Sequence, residues 1–128
     1  MSHSSKLSQS LEDYLEMVHI LCLENKGCAH VKDIAERLSV KMPSVNKAMN
    51  ELKKYDLVIQ EPYTGISLTT NGKKAAARIL ARHFLLKSLL VKLGVNEKNA
   101  NEDACKMEHI LSQESLDCID QFVHGKER

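Results

Sequence analysis

A cysteine, a glutamate and a histidine are spaced so that their side chains can share one face of a helix. Cys105, Glu108 and His109 stand at positions i, i+3 and i+4 of a predicted helix. A thiolate, a carboxylate and an imidazole on one face can together ligate a transition-metal ion. The alternative is the polar surface of an ordinary charged helix. The spacing indicates a metal site, and the alternative stays open at this point.

A pair of carboxylates lies on another predicted helix, near the amino terminus. Asp13 and Glu16 are three residues apart, so both side chains can face one cation. Their alternative explanation is the helix dipole, which favours an acid such as Asp13 in a first turn. His83, just before the apolar residues 84–86, can equally be a half-buried structural histidine.

Apolar residues at helical spacing predict the elements that position these side chains. A first helix, capped by Ser8 or Ser10, is expected to end at residues 25–27. A short helix over residues 31–38 and another that opens near Pro43 follow it.

The hydrophobic period changes to two after these helices. Residues 57–59 and 66–68 predict two short strands around the turn sequence Pro-Tyr-Thr-Gly at 62–65. Three more helices are predicted, from a cap at Thr69 or Thr70 to about residue 93, from Asn96 to Leu111, and over residues 116–123.

This order of elements is that of a winged helix-turn-helix, and it predicts a mainly α fold. The winged helix-turn-helix DNA-binding domain is placed at residues 1–70. A helical metal-binding and dimerisation domain is placed at residues 71–128.

The second helix of the helix-turn-helix leaves an exposed polar first turn. Asn can read adenine, Lys can contact guanine or phosphate, and Ser can reach phosphate. The alternative is a winged helix used for protein contacts. With the tip of the wing included, the candidate DNA-binding residues are Lys41, Pro43, Ser44, Asn46, Lys47, Asn50, Tyr63 and Thr64.

The distribution of charge favours nucleic acid. Residues 26–92 hold thirteen Lys or Arg and five Asp or Glu, a net charge of +8, whereas the flanks hold five basic and twelve acidic residues. A basic middle between acidic ends is typical of a phosphate-facing module joined to parts with another role. Chance segregation of ordinary surface charge is the alternative.

One such module reads too few base pairs for useful specificity, so a homodimer is expected on double-stranded operator DNA. An apolar stripe in a short chain needs a partner surface. The predicted dimer interface consists of Leu85, Leu86, Leu89, Leu116, Ile119, Phe122 and Val123.

Several other classes of protein are disfavoured by composition and motifs. Aromatic residues make up 4% and Trp is absent, which argues against an aromatic-lined sugar or single-strand site. The sequence has no HExxH motif, no Ser/His/Asp arrangement and no glycine-rich phosphate loop, so no enzyme and no small-molecule substrate is expected.

We expect a cytoplasmic protein with reduced thiols and no membrane contact. The first ten residues hold no signal peptide, and the sequence has no membrane-length apolar run and no CxxC pair.

Four segments, in order, resemble the diphtheria-toxin-repressor and manganese-transport-regulator family of metal-dependent repressors. They are SQSLEDYLEMVHIL, VKDIAERLSVKMPSVNKAMNEL, GISLTTNGKKAAARILARHFLL and NEDACKMEHILS. The resemblance covers about residues 10–123, in the short form without the C-terminal small barrel domain. It implies a homodimeric repressor that binds operator DNA when loaded with Mn²⁺ or Fe²⁺ and controls genes of metal homeostasis. Metal is then expected to set the angle between DNA-binding and dimerisation modules. The remaining alternative is a metal-independent winged-helix module.

The resemblance also implies a ligand set with one departure. Cys105 falls where the manganese-sensing branch has Glu and the iron-sensing branch has Cys. Lys87 and Asn101 stand where the iron-sensing branch has a second metal site. Carboxylate oxygens suit Mn²⁺, whereas a thiolate favours Fe²⁺, Co²⁺ or Zn²⁺, so Mn²⁺ and Fe²⁺ both stay open. The implied ligands are Asp13, Glu16, His83, Cys105, Glu108 and His109.

Overall fold

The computed structural model describes residues 7–125, so the outer ends of both predicted domains, residues 1–6 and 126–128, lie outside it. The described part has six helices and one two-stranded antiparallel sheet, which confirms the predicted fold class. The chain divides into two compact units, one ending at Ala77 and one beginning at Arg78. The elements are α1 (Gln9–Glu24), α2 (Val31–Leu38), α3 (Met42–Lys54), β1 (Val58–Glu61), β2 (Gly65–Leu68), α4 (Thr70–Lys92), α5 (Glu97–Met107) and α6 (Gln113–His124).

The first helix begins where a side chain can cap it. The Ser8 hydroxyl accepts a hydrogen bond from the Leu11 amide at 3.1 Å, which selects Ser8 over Ser10 as the cap. The helix ends at Asn25, as predicted. Near that end, Arg37 of α2 donates two hydrogen bonds to the carboxylate of Glu24, at 3.0 and 3.2 Å. This pairing holds the pKa of Glu24 below its usual value.

A tight turn sets α3 against α2. Ser39 takes a left-handed conformation (φ 57°) that ends α2, and the Val40 amide bonds back to the Ala35 carbonyl at 3.0 Å. Pro43 lies in the first turn of α3, where its missing N–H costs no helical hydrogen bond. The apolar face of α3 is buried with α1 and α2, and its fully buried members are Val45, Met49 and Leu52.

The wing hairpin differs from its prediction at both ends of β1 and at the start of β2. β1 begins at Val58, because the Leu57 amide bonds to the Leu52 carbonyl at the end of α3, and it continues to Glu61, two residues beyond its predicted end. Gly65 belongs to β2 and pairs with Glu61. Its φ of +101° suits glycine, and a Cβ there would lie 2.6 Å from the Ala29 carbonyl oxygen. Ala29 comes so close because its backbone exchanges two 2.7 Å hydrogen bonds with Ile66, a pairing the hydrophobic period did not predict.

Cys22 is a half-buried residue of the first unit. Its Sγ donates to the Ile66 carbonyl oxygen at 3.7 Å. Burial, and next the neighbouring Cys28 thiol, raises the pKa of the Cys22 thiol. A protonated, half-buried thiol is a weak nucleophile, which agrees with a role in packing.

Side-chain caps also fix the later helices. The Thr69 hydroxyl accepts from the Gly72 amide at 2.9 Å at the start of α4, and Gly94 (φ +108°) closes that helix. Asn96 caps α5, as predicted. Ser112 caps α6, which therefore begins at Gln113, three residues before its predicted start. The predicted helix from Asn96 was too long at its end, because regular structure stops at Met107.

The second unit has its own small core. Leu86 of α4, Ala104 of α5 and Leu116 of α6 are buried together, with Met107 and Leu111 packed against them. No helix among residues 7–125 has the length and apolar character needed to cross a membrane.

Candidate metal centre and DNA-binding surface

Side chains from α4 and from the end of α5 converge in the second unit. His83 Nδ1 lies 3.1 Å from Glu108 Oε1 and 3.7 Å from Cys105 Sγ. The other carboxylate oxygen, Glu108 Oε2, lies 3.4 Å from His109 Nε2. The structure thus brings four of the six implied ligands together within one unit.

The local backbone explains why Cys105 and Glu108 still share one face although α5 ends between them. Cys105 lies in the last turn of α5, and Glu108 is the residue that caps that helix. Glu108 keeps helical dihedral angles (φ −62°, ψ −17°), so its side chain still points to the face that Cys105 occupies. The predicted i, i+3 arrangement therefore holds although the helix is shorter than expected.

The centre is buried on its carboxylate side and open on its thiol side. The side chains of Glu108 and His109 are each 1% exposed and that of His83 is 8% exposed, whereas Cys105 is exposed. A carboxylate this far from water is costly unless positive charge or hydrogen bonds compensate it. Here each of its oxygens faces an imidazole nitrogen. Two imidazoles, a carboxylate and a thiol are a donor set that fits a divalent transition-metal ion.

The two candidate ligands of the first unit, Asp13 and Glu16, lie on α1. Both side chains are half-buried. Glu12, rather than Asp13, occupies the first turn of α1, so the helix-dipole explanation applies to Glu12. This removes the simplest alternative role for Asp13.

The candidate DNA-binding side chains lie where a groove could accept them. Tyr63, at the tip of the wing, is 97% exposed, and Thr64 beside it donates to Glu61 at 3.1 Å. All six candidates of the helix-turn-helix are exposed, from the residue that precedes α3 to the second half of that helix, and these are Lys41, Pro43, Ser44, Asn46, Lys47 and Asn50.

The predicted dimer interface divides into two groups. The structure assigns Leu86 and Leu116 to the core of the second unit, because α4, α5 and α6 turn these positions toward one another. Leu85 and Ile119 pack against the same core. Phe122 is 58% exposed, and the Lys92 ammonium lies 5.6 Å from the centre of its ring. Leu89 and Val123 are half-buried.

Four exposed apolar residues of the second unit lie outside the predicted dimer interface. Phe84 and Val91, seven residues apart on α4, are 55% and 42% exposed, Leu93 is 64% exposed and Ile110 is 70% exposed. The i, i+7 spacing of Phe84 and Val91 was the available signal, since it places both on one stripe of a helix.

Asn101, which stands where the iron-sensing branch has a second metal site, contacts His83 and was not among the predicted ligands. Its Oδ1 lies 2.8 Å from His83 Nε2. Asn101 stands four residues before Cys105 and seven before Glu108, so the shared helix face was a usable signal.

Comparisons with known proteins agree with this architecture. The profile described as iron dependent repressor, N-terminal DNA binding domain, matches residues 6–66. The profile described as iron dependent repressor, metal binding and dimerisation domain, matches residues 69–128. An HTH-type transcriptional regulator MntR of Geobacillus thermodenitrificans is 45% identical over 114 residues, which cover 89% of this chain and 80% of that protein. An uncharacterized HTH-type transcriptional regulator of Methanocaldococcus jannaschii is 40% identical over 118 residues, covering 91% of this chain and 94% of that protein.

Comparison with solved structures agrees with these matches. The manganese regulator SloR superposes with a TM-score of 0.77 at 28% identity, over 91% of this chain and 54% of that one. The IdeR protein of T. acidophilum gives the same TM-score and identity, over 91% of this chain and 55% of its own. The chain belongs to the family of metal-dependent, DNA-binding transcriptional repressors that includes these regulators. Members of this family bind divalent metal and regulate transcription, so the chain is a regulator and no enzyme.

Proposed function

We propose that this chain is a cytoplasmic, metal-activated repressor that binds operator DNA as a homodimer and controls genes of metal-ion homeostasis. The observation that carries the proposal is the buried Glu108 carboxylate, each of whose oxygens faces a histidine nitrogen beside the Cys105 thiol. A divalent cation held there compensates the buried charge, and imidazole, carboxylate and thiolate are donor types that such a cation accepts.

We propose the full ligand set as Asp13, Glu16, His83, Cys105, Glu108 and His109. Support for the four residues of the second unit is their convergence, and support for Asp13 and Glu16 is their family position and half-burial. The proposed ion is Mn²⁺ or Fe²⁺, with Co²⁺ and Zn²⁺ able to substitute in vitro. When bound, the ion supplies positive charge that holds acidic and imidazole side chains together.

Metal control of DNA binding follows from linkage. An ion that raises the affinity for DNA must bind more tightly to the DNA-bound protein, because coupling between two ligands is reciprocal. The DNA-reading surface is proposed on α3 and the tip of the wing, in a domain of residues 1–70. The proposed metal-binding and dimerisation domain covers residues 71–128, and the two-unit division and the profile boundaries support this arrangement.

The test is a metal titration of the full chain, with and without DNA. Calorimetry under reducing, anaerobic conditions measures the affinity for Mn²⁺, Fe²⁺ and Zn²⁺. DNA selected from a random pool by the metal-loaded protein then serves for binding assays. We expect DNA affinity to rise with metal and metal affinity to rise with DNA. DNA binding of equal strength with and without metal would instead support a metal-independent winged-helix module.

Loss of groove-facing side chains should weaken DNA binding alone. Lys47→Ala and Asn46→Ala each remove an exposed polar group from α3. We expect each to cost about 1–3 kcal/mol of DNA binding, the range for side chains that contact bases. Metal affinity should not change. Electrophoretic mobility shifts on the selected DNA measure the effect, with Lys98→Ala removing the same charge from the second unit as the control. Wild-type binding by both α3 variants would show that the recognition surface lies elsewhere.

An exposed aromatic on α6 should contribute to the dimer. Replacing Phe122 by Asp puts a charge on this surface without touching the core residues Leu86 and Leu116. We expect the dimer dissociation constant to rise at least about tenfold, the usual effect of losing a central aromatic anchor. Sedimentation at micromolar concentration measures it, with Gln121→Asp as the exposed neighbour. A monomeric wild-type chain, with and without metal, would contradict the proposed homodimer.

A further inference from the structure

The imidazole of His83 is held from both sides. Its Nδ1 faces Glu108 Oε1 at 3.1 Å, and its Nε2 faces Asn101 Oδ1 at 2.8 Å. The ring is buried. Two contacts on opposite ring edges fix its orientation, because a rotation that improves one of them breaks the other.

The contact with Asn101 determines which nitrogen carries hydrogen. A carbonyl oxygen only accepts, so the 2.8 Å contact requires the Nε2–H of His83 as its donor. A neutral imidazole with hydrogen on Nε2 has its lone pair on Nδ1. That lone pair points to the space beside Glu108 Oε1 and Cys105 Sγ, which lies 3.7 Å away.

The contact with Asn101 leaves the other nitrogen for the metal. Nδ1 lies 3.1 Å from Glu108 Oε1 and 3.7 Å from Cys105 Sγ, so a cation beside the carboxylate and the thiol would meet this nitrogen. Because Nε2 faces the Asn101 oxygen, it is not available as a ligand atom. The Asn101 oxygen therefore presents His83 to a cation through Nδ1.

We propose that Asn101 is a positioning residue of the metal centre, whose Oδ1 accepts the Nε2–H of His83 and so selects Nδ1 as the ligand atom. The inference rests on the proposed metal-binding function. It adds a residue outside the proposed ligand set. Partners that orient a ligating histidine commonly change metal affinity 10–100-fold.

The first measurement is the metal affinity of three variants of the full chain, by calorimetry with Mn²⁺ and Co²⁺. Asn101→Ala removes the acceptor, and we expect its affinity to fall about 10-fold or more. Asn101→Asp keeps an acceptor oxygen at the same place and should restore affinity close to that of wild type. Asn99→Ala, an exposed change on the same helix, should bind as wild type does.

The second measurement separates positioning from a structural role. In protein loaded with ¹¹³Cd²⁺ and labelled with ¹⁵N, the metal coupling should appear at His83 Nδ1, with hydrogen on Nε2. Thermal unfolding of the metal-free Asn101→Ala variant should show a folded protein, because the higher helix propensity of Ala partly offsets the loss of one hydrogen bond.

Each outcome bears on the inference. Coupling at Nε2, wild-type affinity in Asn101→Ala, or equal losses in the Ala and Asp variants would overturn it while leaving the proposed metal site in place. Absence of metal binding in the wild-type chain would overturn the proposed function and this inference together.

Discussion

Replacing Glu108 by Gln is expected to abolish high-affinity metal binding and, with it, metal-dependent DNA binding. The substitution keeps the size of the side chain and removes the negative charge that lies between His83 and His109. A neutral amide is a poor ligand for a divalent ion, and an amide nitrogen facing the metal is no ligand at all. We expect affinity to fall at least about 100-fold, since the loss of an orienting partner outside the ligand set already costs 10–100-fold.

The measurement for Glu108→Gln is calorimetric titration with Mn²⁺ and Fe²⁺, followed by DNA binding at saturating metal. Circular dichroism and thermal unfolding establish that the variant is folded, which the isosteric change favours. Glu114→Gln removes the same charge from an exposed site of the second unit and serves as the control. A folded Glu108→Gln variant with wild-type metal affinity would exclude this cluster as the metal site.

Changes at Cys105 are expected to alter which metal activates the protein. A thiolate keeps the negative charge of a carboxylate ligand but replaces a hard oxygen by a soft sulfur. Cys105→Glu should therefore shift the response of DNA binding toward Mn²⁺ and away from Fe²⁺, Co²⁺ and Zn²⁺. Cys105→Ala should weaken activation by every metal, because it removes a donor 3.7 Å from His83 Nδ1.

The matched control for this series is Cys118→Ala, which removes the other exposed thiol of the second unit and should change little. Metal-dependent DNA binding of the three variants and wild type is compared with each metal in turn, under reducing conditions. If Cys105→Ala responds to all metals as wild type does, Cys105 is a surface thiol and the site uses the remaining donors.

Local sequence signals predicted most of the fold. The caps at Ser8, Thr69 and Asn96 and the glycine that closes α4 act over three or four residues, so the sequence contains both partners of each interaction. The ends of the two hairpin strands were predicted less accurately. Its ends depend on Leu57 bonding back to α3 and on Ala29 pairing with Ile66, and no local period encodes such contacts.

In the candidate site, too, some features follow from local spacing and others from contacts between distant residues. Helical spacing alone placed Cys105, Glu108 and His109 together, and the family resemblance added His83. Packing in the tertiary structure decided that the Glu108 carboxylate is buried between imidazoles and that Asn101 fixes the far edge of the His83 ring.

The sequence by itself determined the helices, the wing and the grouping of Cys105, Glu108 and His109, because these depend on residue types at short, regular spacings. The full set of candidate ligands came from the family resemblance. Only the tertiary structure decided which apolar residues are buried in the core of the protomer and which stay exposed. Leu86 and Leu116 lie on apolar stripes like Phe122, yet both are buried where three helices meet, while Phe122 stays exposed. Periodicity gives a residue its face on a helix, but the partner of that face is set by contacts between residues far apart in the chain.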